Sequence, residues 1–318
     1  MDYPAIQPIQ ELSCLCRTAI ALLEMHNHTA NGILADQWDM NLAVSQADKT
    51  FPRMFLESGK YTLIRDLDEL YGIGVRECER NDIDLICEGL QNGIKYIVSI
   101  NPKLWYTWYQ RVADLDLPYH VVLLLDYNAK TNLITYWDSR AGGTDNRDLY
   151  REIERDRLAQ TLYPHVVWAL DLRDANPLPI EEMIRLQFTR VLMKMRDNRT
   201  VRLFDEDIFH GLAALHAFAQ EVETRVGDLE NRTQWRKAMY CIMRTVAQRE
   251  VFLQKMKHRL RLDDNFCDTY LSKWRYMSFL LGKKDGKRMQ DYLEQVTALE
   301  ETLSNSVEDC LFSSIYES

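Results

Sequence analysis

Three residues in the first half of the chain have the types needed for covalent catalysis: a nucleophile, a general base and a group that orients the base. Cys14 opens the apolar stretch "CLCRTAIALLEMHN", His120 opens "HVVLLLDY", and Asp138 ends "LITYWD". A thiolate attacks a carbonyl carbon after an imidazole takes its proton, and a carboxylate holds that imidazole in the productive tautomer. These residues predict nucleophilic catalysis at a thiol.

The position of Cys14 at the start of a helix favours this chemistry. We predict a helix over 14–27 with Ser13 as its N-cap. Its apolar residues occupy most of the circumference, so we expect it to be buried on several sides. A thiol in the first turn lies where the helix dipole and free backbone N–H groups stabilise an anion, which lowers the thiol pKa. An inert, packed cysteine is the alternative, because free cysteine is often buried.

His120 and Asp138 belong to a predicted β-hairpin within "LPYHVVLLLDYNAKTNLITYWDSRAGG" (117–143). A three-residue loop at 128–130 would place His120 opposite Asp138. Opposed residues share a face of the sheet and lie within side-chain reach, so the pair can form the base and its orienting group. The alternative is a buried His–Asp pair that only satisfies its own hydrogen bonds.

The composition excludes several classes of function. The formal net charge of -9 argues against nucleic acid as a partner and suits a cationic small molecule. No apolar run reaches the roughly 18 residues of a bilayer span, and the start of the chain lacks the features of a secretory signal, so we expect a cytoplasmic protein with no membrane partner. The 7 cysteines form no C-x-x-C pair, which predicts reduced thiols and no metal site.

The hydrophobic period changes near the middle of the chain. Runs rich in β-branched and aromatic residues predict strands at 60–64, 95–100, 120–127, 133–139 and 165–172. After the Pro-containing segment 174–179, helical periods predict helices near 179–196, 205–226, 230–259, 265–282 and 285–305. The predicted fold class is α+β, with a first domain over 1–175 and an all-helical second domain over 176–318.

Three stretches resemble one known family. The Cys14-led helix, the segment 72–110 and the hairpin "LPYHVVLLLDYN…YWD" are similar to the butirosin biosynthesis protein H, N-terminal-like, family. The likeness covers about residues 10–140. The chain order Cys, His, Asp is also the order that papain-like folds use.

The resemblance implies a papain-like cysteine fold that moves an acyl group from a carrier-protein phosphopantetheine thioester to an amine. The product would be an amide in antibiotic or natural-product biosynthesis. By position, Cys14 matches the nucleophile, His120 the base and Asp138 the orienting residue. The implied partners are an acyl or peptidyl carrier protein and a small-molecule amine, with no bound cofactor. Asn27 stands where the family usually has glycine, and the Gly-rich segment of many members is missing, so the substrate stays open.

Two alternatives concern the nucleophile and the reaction. Gln10 lies six residues before Cys16, the separation at which papain-like enzymes carry an oxyanion-hole glutamine. Counting the helix from Cys16 would, however, bury Glu24, so we favour Cys14. A cysteine peptidase or amidase on the same fold, and a non-catalytic binding module, are the alternative functions.

Three further segments have a functional and a structural interpretation. The aromatic residues of "KLWYTWYQ" (103–110) could line an acyl channel or form core. Arg140 and the loop "RAGGTD" (140–145) could hold a phosphate or be a solvated loop. The basic run 234–262 could dock an acidic carrier protein or be a solvated helix face.

Overall fold

The protein has a mixed α+β fold with antiparallel sheets. The computed structural model describes residues 3–45, 62–78, 82–102, 104–105, 120–140, 149–197, 200–203, 206–225, 232–283 and 285–316. Within these ranges the helices are α1 (Cys14–Met25), α2 (Asn31–Ala35), α3 (Leu63–Tyr71), α4 (Ile83–Gln91), α5 (Arg155–Thr161), α6 (Ile180–Arg196), α7 (Gly211–Arg225), α8 (Arg232–Met256), α9 (Asp264–Lys283) and α10 (Gly286–Tyr316), with a 3₁₀ turn at Asp36–Trp38. The strands are β1 (Asn41–Ser45), β2 (Gly74–Glu77), β3 (Lys95–Ile100), β4 (His120–Asn128), β5 (Leu133–Trp137), β6 (Tyr150–Glu154), β7 (Leu162–Asp171), β8 (Val201–Leu203) and β9 (Glu206–His210).

The chain divides into two compact units. Unit 1 comprises residues 1–30 and 60–179, and unit 2 comprises 31–59 and 180–318. The break at 179/180 lies at the end of the predicted Pro-containing boundary. The prediction of a first domain running unbroken over 1–175 is corrected, because the segment from Asn31 onward packs with the later helices through its strand β1 and its 3₁₀ turn.

Unit 1 contains a six-stranded sheet in the order β2-β7-β3-β4-β5-β6, with every neighbouring pair antiparallel. The strands predicted at 95–100, 120–127, 133–139 and 165–172 are confirmed in position. The strand predicted at 60–64 is wrong, because α3 begins at Leu63; residues 60–61 lie outside the described residues. Its apolar residues continue at helical spacing, and Gly72 ends the helix with a φ of 63° that suits glycine.

Two helices, α1 and α4, pack against this sheet. Strands β3 to β5 present alternate apolar side chains to α4 on one face, including Val98, Val122 and Tyr136. Helix α1 packs against β4. The sheet is therefore a buried support that joins the helix carrying Cys14 to the strands carrying the other candidate residues.

Unit 2 is mostly helical and also contains a three-stranded antiparallel sheet, β1-β9-β8. The prediction that this half is all-helical is therefore wrong. The helix predicted over 205–226 begins only at Gly211, because residues 206–210 form β9 and pair with β1. A strand whose partner lies far away in the sequence leaves little local signal. The predicted helix was therefore started too early, within the residues that form β9.

Within the described part of the chain, no helix is both long enough and apolar enough to cross a membrane.

Candidate active site

Cys14 is the first residue of α1, and the structure confirms the predicted cap. Ser13 has extended backbone angles, and its Oγ accepts a hydrogen bond from the Cys16 N–H at 3.2 Å. Nearly all of the helix from Leu15 to Leu23 is buried, as its apolar circumference predicts. Cys14 as a residue is partly exposed at the start of this buried helix, whereas Cys16 has no exposed surface.

The far end of α1 accounts for Asn27. Its φ is 59°, in the left-handed region, and the next residue, His28, returns its N–H to the Leu23 carbonyl at 2.9 Å. Glycine is the usual residue in this conformation, and asparagine is one of the few others that adopt it readily. Asn27 can therefore replace glycine here without changing the path of the chain.

The hairpin that carries His120 and Asp138 is present, but its predicted register is wrong. Asn128 pairs with Leu133, so the loop contains four residues, 129–132, instead of three. Leu125 is an additional residue in β4, between the pair Leu124 and Tyr136 and the next pair toward the tip. It forms a β-bulge, which local sequence does not reveal.

The bulge determines which face His120 and Asp138 share. At the tip, Tyr127 pairs with Ile134, three residues beyond the predicted partner. This odd displacement alone would turn the two site side chains to opposite faces. Beyond the bulge the observed pairing of β4 with β5 is shifted from the predicted pairing by only two residues. This even shift keeps His120 and Asp138 on one face, as diagonal neighbours.

His120 and Asp138 are in direct contact. The His120 Nε2 lies 2.7 Å from the Asp138 Oδ1, and both residues are about 1% exposed. Two other N–H groups donate to the same carboxylate: the backbone N–H of Arg140 to Oδ1 at 2.8 Å, and the indole Nε1–H of Trp105 to Oδ2 at 3.3 Å. The imidazole therefore has a fixed acceptor on its Nε2 side.

The thiol of Cys14 is activated by its surroundings. Burial raises its pKa, but a hydrogen bond with His120 and the positive charge of His120 act in the opposite direction. The backbone N–H of Val121 and the charge of Arg17 lower the pKa further. The net result is a Cys14 pKa below the ordinary value for a thiol.

The pKa values of His120 and Asp138 are also shifted, each in the direction that favours the charged form of the group. Burial lowers the pKa of His120, but Asp138 and Cys14 outweigh burial and raise it to about 9. Burial raises the pKa of Asp138, and the contacts with His120, Arg140 and Trp105 lower it overall. All three shifts therefore favour the charged forms of these groups, thiolate, imidazolium and carboxylate. Because Nε2 is bonded to Asp138, proton exchange with the thiol falls to Nδ1.

Arg17 is a component of the site that sequence reasoning missed. It lies three residues after Cys14 on α1 and is only 5% exposed. Its Nε donates to the Leu12 carbonyl at 2.8 Å, and an Nη donates to the Gln10 Oε1 at 2.9 Å. The structure thus places Gln10 on Arg17 and leaves Cys16 buried. The signal available in the sequence was an arginine on a helix expected to be buried on several sides, since charged residues are seldom buried unless paired.

The remaining sequence-based candidates have mixed outcomes. Trp105 is 1% exposed and packs in the core beside Tyr136, so the structural interpretation holds for this residue. The residues 106–110 and 141–145 lie outside the described residues. No group of three or more His, Cys, Asp or Glu among the described residues could hold a metal ion.

The basic run 234–262 is not a continuous free face. Arg249 is fully buried and paired with Glu300. Lys257 pairs with Asp264, and Arg259 pairs with Glu181. The side chains of Arg236 and Lys237 lie outside the described residues. Three of the eight basic residues that suggested a docking surface are therefore already paired within the chain.

No protein-family model matches the chain, and no curated protein matches its sequence, so the chemistry of this site is the basis on which a function can be assigned.

Proposed function

We propose that the protein is a cysteine-dependent acyltransferase whose first unit is papain-like. It takes an acyl group from the phosphopantetheine thioester of a carrier protein and transfers it to an amine, forming an amide in natural-product biosynthesis. The observation that supports this most strongly is the contact of Cys14 with His120, which is itself held by Asp138. A thiol of lowered pKa beside a buried imidazole is the arrangement that nucleophilic catalysis requires.

The reaction proceeds through an acyl-enzyme. The Cys14 thiolate adds to the thioester carbonyl, the C–S bond to the donor breaks, and the departing sulfur takes the proton of His120. One thioester replaces another, so this step costs little free energy. An amine then adds to the acyl-enzyme, His120 accepts the amine proton, and the Cys14 thiolate leaves as the amide forms.

The start of α1 supports the charge that develops on the carbonyl oxygen. The first N–H groups of a helix have no partner within the helix. In α1 the N–H groups of Cys16 and Arg17 are already bonded to Ser13, which leaves those nearer to Cys14 for an oxyanion. The same dipole favours the thiolate.

Exclusion of water favours transfer over hydrolysis. His120 and Asp138 are almost completely buried, and apolar side chains such as Val122 and Tyr136 lie on the same face of the sheet. Water that reached the acyl-enzyme would convert the protein into a thioesterase. A dry base that accepts a proton from a bound amine is the arrangement an amide-forming enzyme needs.

The test is to incubate the protein with acyl-pantetheine thioesters and to record its intact mass with and without a primary amine. We expect a covalent acyl adduct that the amine discharges faster than water does. The adduct should disappear in Cys14→Ala and persist in Cys16→Ala, the matched control. Cleavage of peptide or amide substrates without an adduct from thioesters would favour the peptidase or amidase alternative. Absence of both activities would favour the binding module.

A further inference from the structure

We propose that Trp105 is a positioning residue that requires Asp138 to be an ionised carboxylate. Papain-like proteases can use asparagine as the residue that orients the histidine. The third N–H donor in this site, supplied by Trp105, explains why an aspartate stands here instead. This inference rests on the proposed thiol chemistry and concerns how the thiol is activated.

Three N–H donors converge on one carboxylate. Oδ1 is within hydrogen-bond distance of His120 Nε2 and of the Arg140 backbone N–H, and Oδ2 accepts from Trp105 Nε1. An ionised carboxylate accepts at both oxygens and can satisfy all three donors. Indole N–H and backbone N–H are donors only, so neither can adapt to a proton placed on Asp138.

An amide at this position cannot satisfy the same donors, because it has one oxygen and one NH2 group. If the oxygen faces His120 and Arg140, the NH2 group opposes the indole N–H. If the amide turns over, its NH2 group opposes the Arg140 N–H and makes the His120 Nε2 an acceptor. Either orientation brings two donors together in a buried place, which is unfavourable.

Trp105 is itself held firmly. It is 1% exposed, and its backbone N–H donates to the Asn101 carbonyl at 3.0 Å. Its ring packs edge-on against the Tyr136 ring, with the two ring centroids 4.8 Å apart. Tyr136 lies two residues before Asp138 on β5. The indole N–H therefore cannot withdraw easily when the group it faces is changed.

The geometry predicts that one substitution has opposite effects in two backgrounds. In the native protein, Trp105→Phe removes a donor to Asp138 and should slow the reaction of Cys14. In the Asp138→Asn background, the same change removes the donor–donor conflict and allows the amide oxygen to face His120. There it should speed the reaction, whereas loss of mere packing would slow it in both backgrounds.

The experiment is a double-mutant cycle on the rate at which iodoacetamide alkylates Cys14 at neutral pH, followed by peptide mapping. We expect Trp105→Phe alone to lower the rate several-fold and Asp138→Asn alone to lower it roughly tenfold or more. Adding Trp105→Phe to Asp138→Asn should raise the rate by about fivefold, the scale of one relieved buried polar conflict. Trp137→Phe is the matched control, because the Trp137 indole is fully buried and finds no hydrogen-bond partner in the described structure; it should not rescue Asp138→Asn.

Two outcomes would overturn the inference: a further loss of rate when Trp105→Phe is added to Asp138→Asn, or an equal rescue by Trp137→Phe. A second readout covers variants that fold poorly. The indole 1H–15N resonance of Trp105 should move on Asp138→Asn while that of Trp137 stays in place, and an unmoved Trp105 signal also contradicts the inference. Alkylation requires no acyl donor, so a protein that follows this cycle yet forms no acyl adduct refutes the proposed function and leaves the inference intact.

Discussion

The charges of individual buried residues decide whether Cys14 can act. A thiolate, an imidazolium and a carboxylate together carry one net negative charge in a place with little water, which is costly unless a positive charge lies nearby. Arg17, buried and one turn along the same helix, supplies that charge and lowers the Cys14 pKa. The sequence singled out Cys14, His120 and Asp138 as candidates by residue type, but it did not single out Arg17 or Trp105, because their contacts depend on distances across the fold.

Replacing Arg17 tests this balance of charge. Arg17→Met keeps much of the apolar stem and removes the charge, so the Cys14 pKa should rise and alkylation at neutral pH should slow, by up to about tenfold for each pKa unit. The pH dependence of the alkylation rate provides the measurement. Arg65→Met is the control, because Arg65 is 46% exposed and pairs with Asp66 and Glu69. An unchanged profile in Arg17→Met would show that Arg17 does not lower the Cys14 pKa.

Among the elements, the hairpin has strands that the sequence predicts and a loop length and bulge that it does not. Alternating apolar residues correctly located β4 and β5, and they indicated that His120 and Asp138 share a face. The loop length and the bulge at Leu125 could not be read from the pattern, since both depend on pairing with neighbouring strands. The contact between His120 and Asp138 was predicted correctly from a wrong register. The pairing at the tip is shifted by three residues and the bulge reduces that shift by one, so the net shift at His120 and Asp138 is even and keeps them on one face.

Lys95 is expected to stabilise this bulge. Leu125 has no cross-strand partner in the register of β3 with β4 or of β4 with β5, and its carbonyl accepts a hydrogen bond from the Lys95 Nζ at 2.7 Å. Lys95→Met keeps the stem and leaves the carbonyl without this donor, which should cost about 1–3 kcal/mol of the free energy of unfolding. Urea denaturation measures the loss. Lys130→Met, on the exposed loop of the same hairpin, should change the midpoint little; equal effects would show that Lys95 has no special role.

At the scale of the whole molecule, the sequence indicated the α+β class and the position of the change near residue 179, but not the discontinuous unit 2. Long helices were located well because their period extends over many residues. The pairing of β1 with β9 in unit 2 was missed because the two strands are distant in sequence. A buried network explains why the segment after Asn31 belongs to this unit.

Glu300 is the centre of that network. Its carboxylate accepts hydrogen bonds from Trp38 at 2.7 Å, Tyr270 at 2.6 Å, Trp274 at 3.1 Å and Arg249 at 3.2 Å. Glu300→Gln places an NH2 group among these donors and leaves Arg249 buried without its counter-ion.

The expected cost of Glu300→Gln is about 3–5 kcal/mol of the free energy of unfolding. Chemical denaturation of the whole chain provides the measurement, with Glu301→Gln as the control, because Glu301 is the exposed neighbour of Glu300 on α10. Matching denaturation midpoints for the two variants would show that the buried network contributes little.

If His120 activates Cys14, the ionisation of that thiol must depend on His120. The ultraviolet absorbance of the thiolate is titrated against pH in the native protein and in His120→Ala, with Cys14→Ser subtracted as the blank. We expect Cys14 to ionise below the ordinary thiol pKa in the native protein, the imidazolium to persist until the pH rises through about 9, and His120→Ala to raise the Cys14 pKa. A Cys14 that titrates at the ordinary value in the native protein, unchanged by His120→Ala, would contradict this expectation.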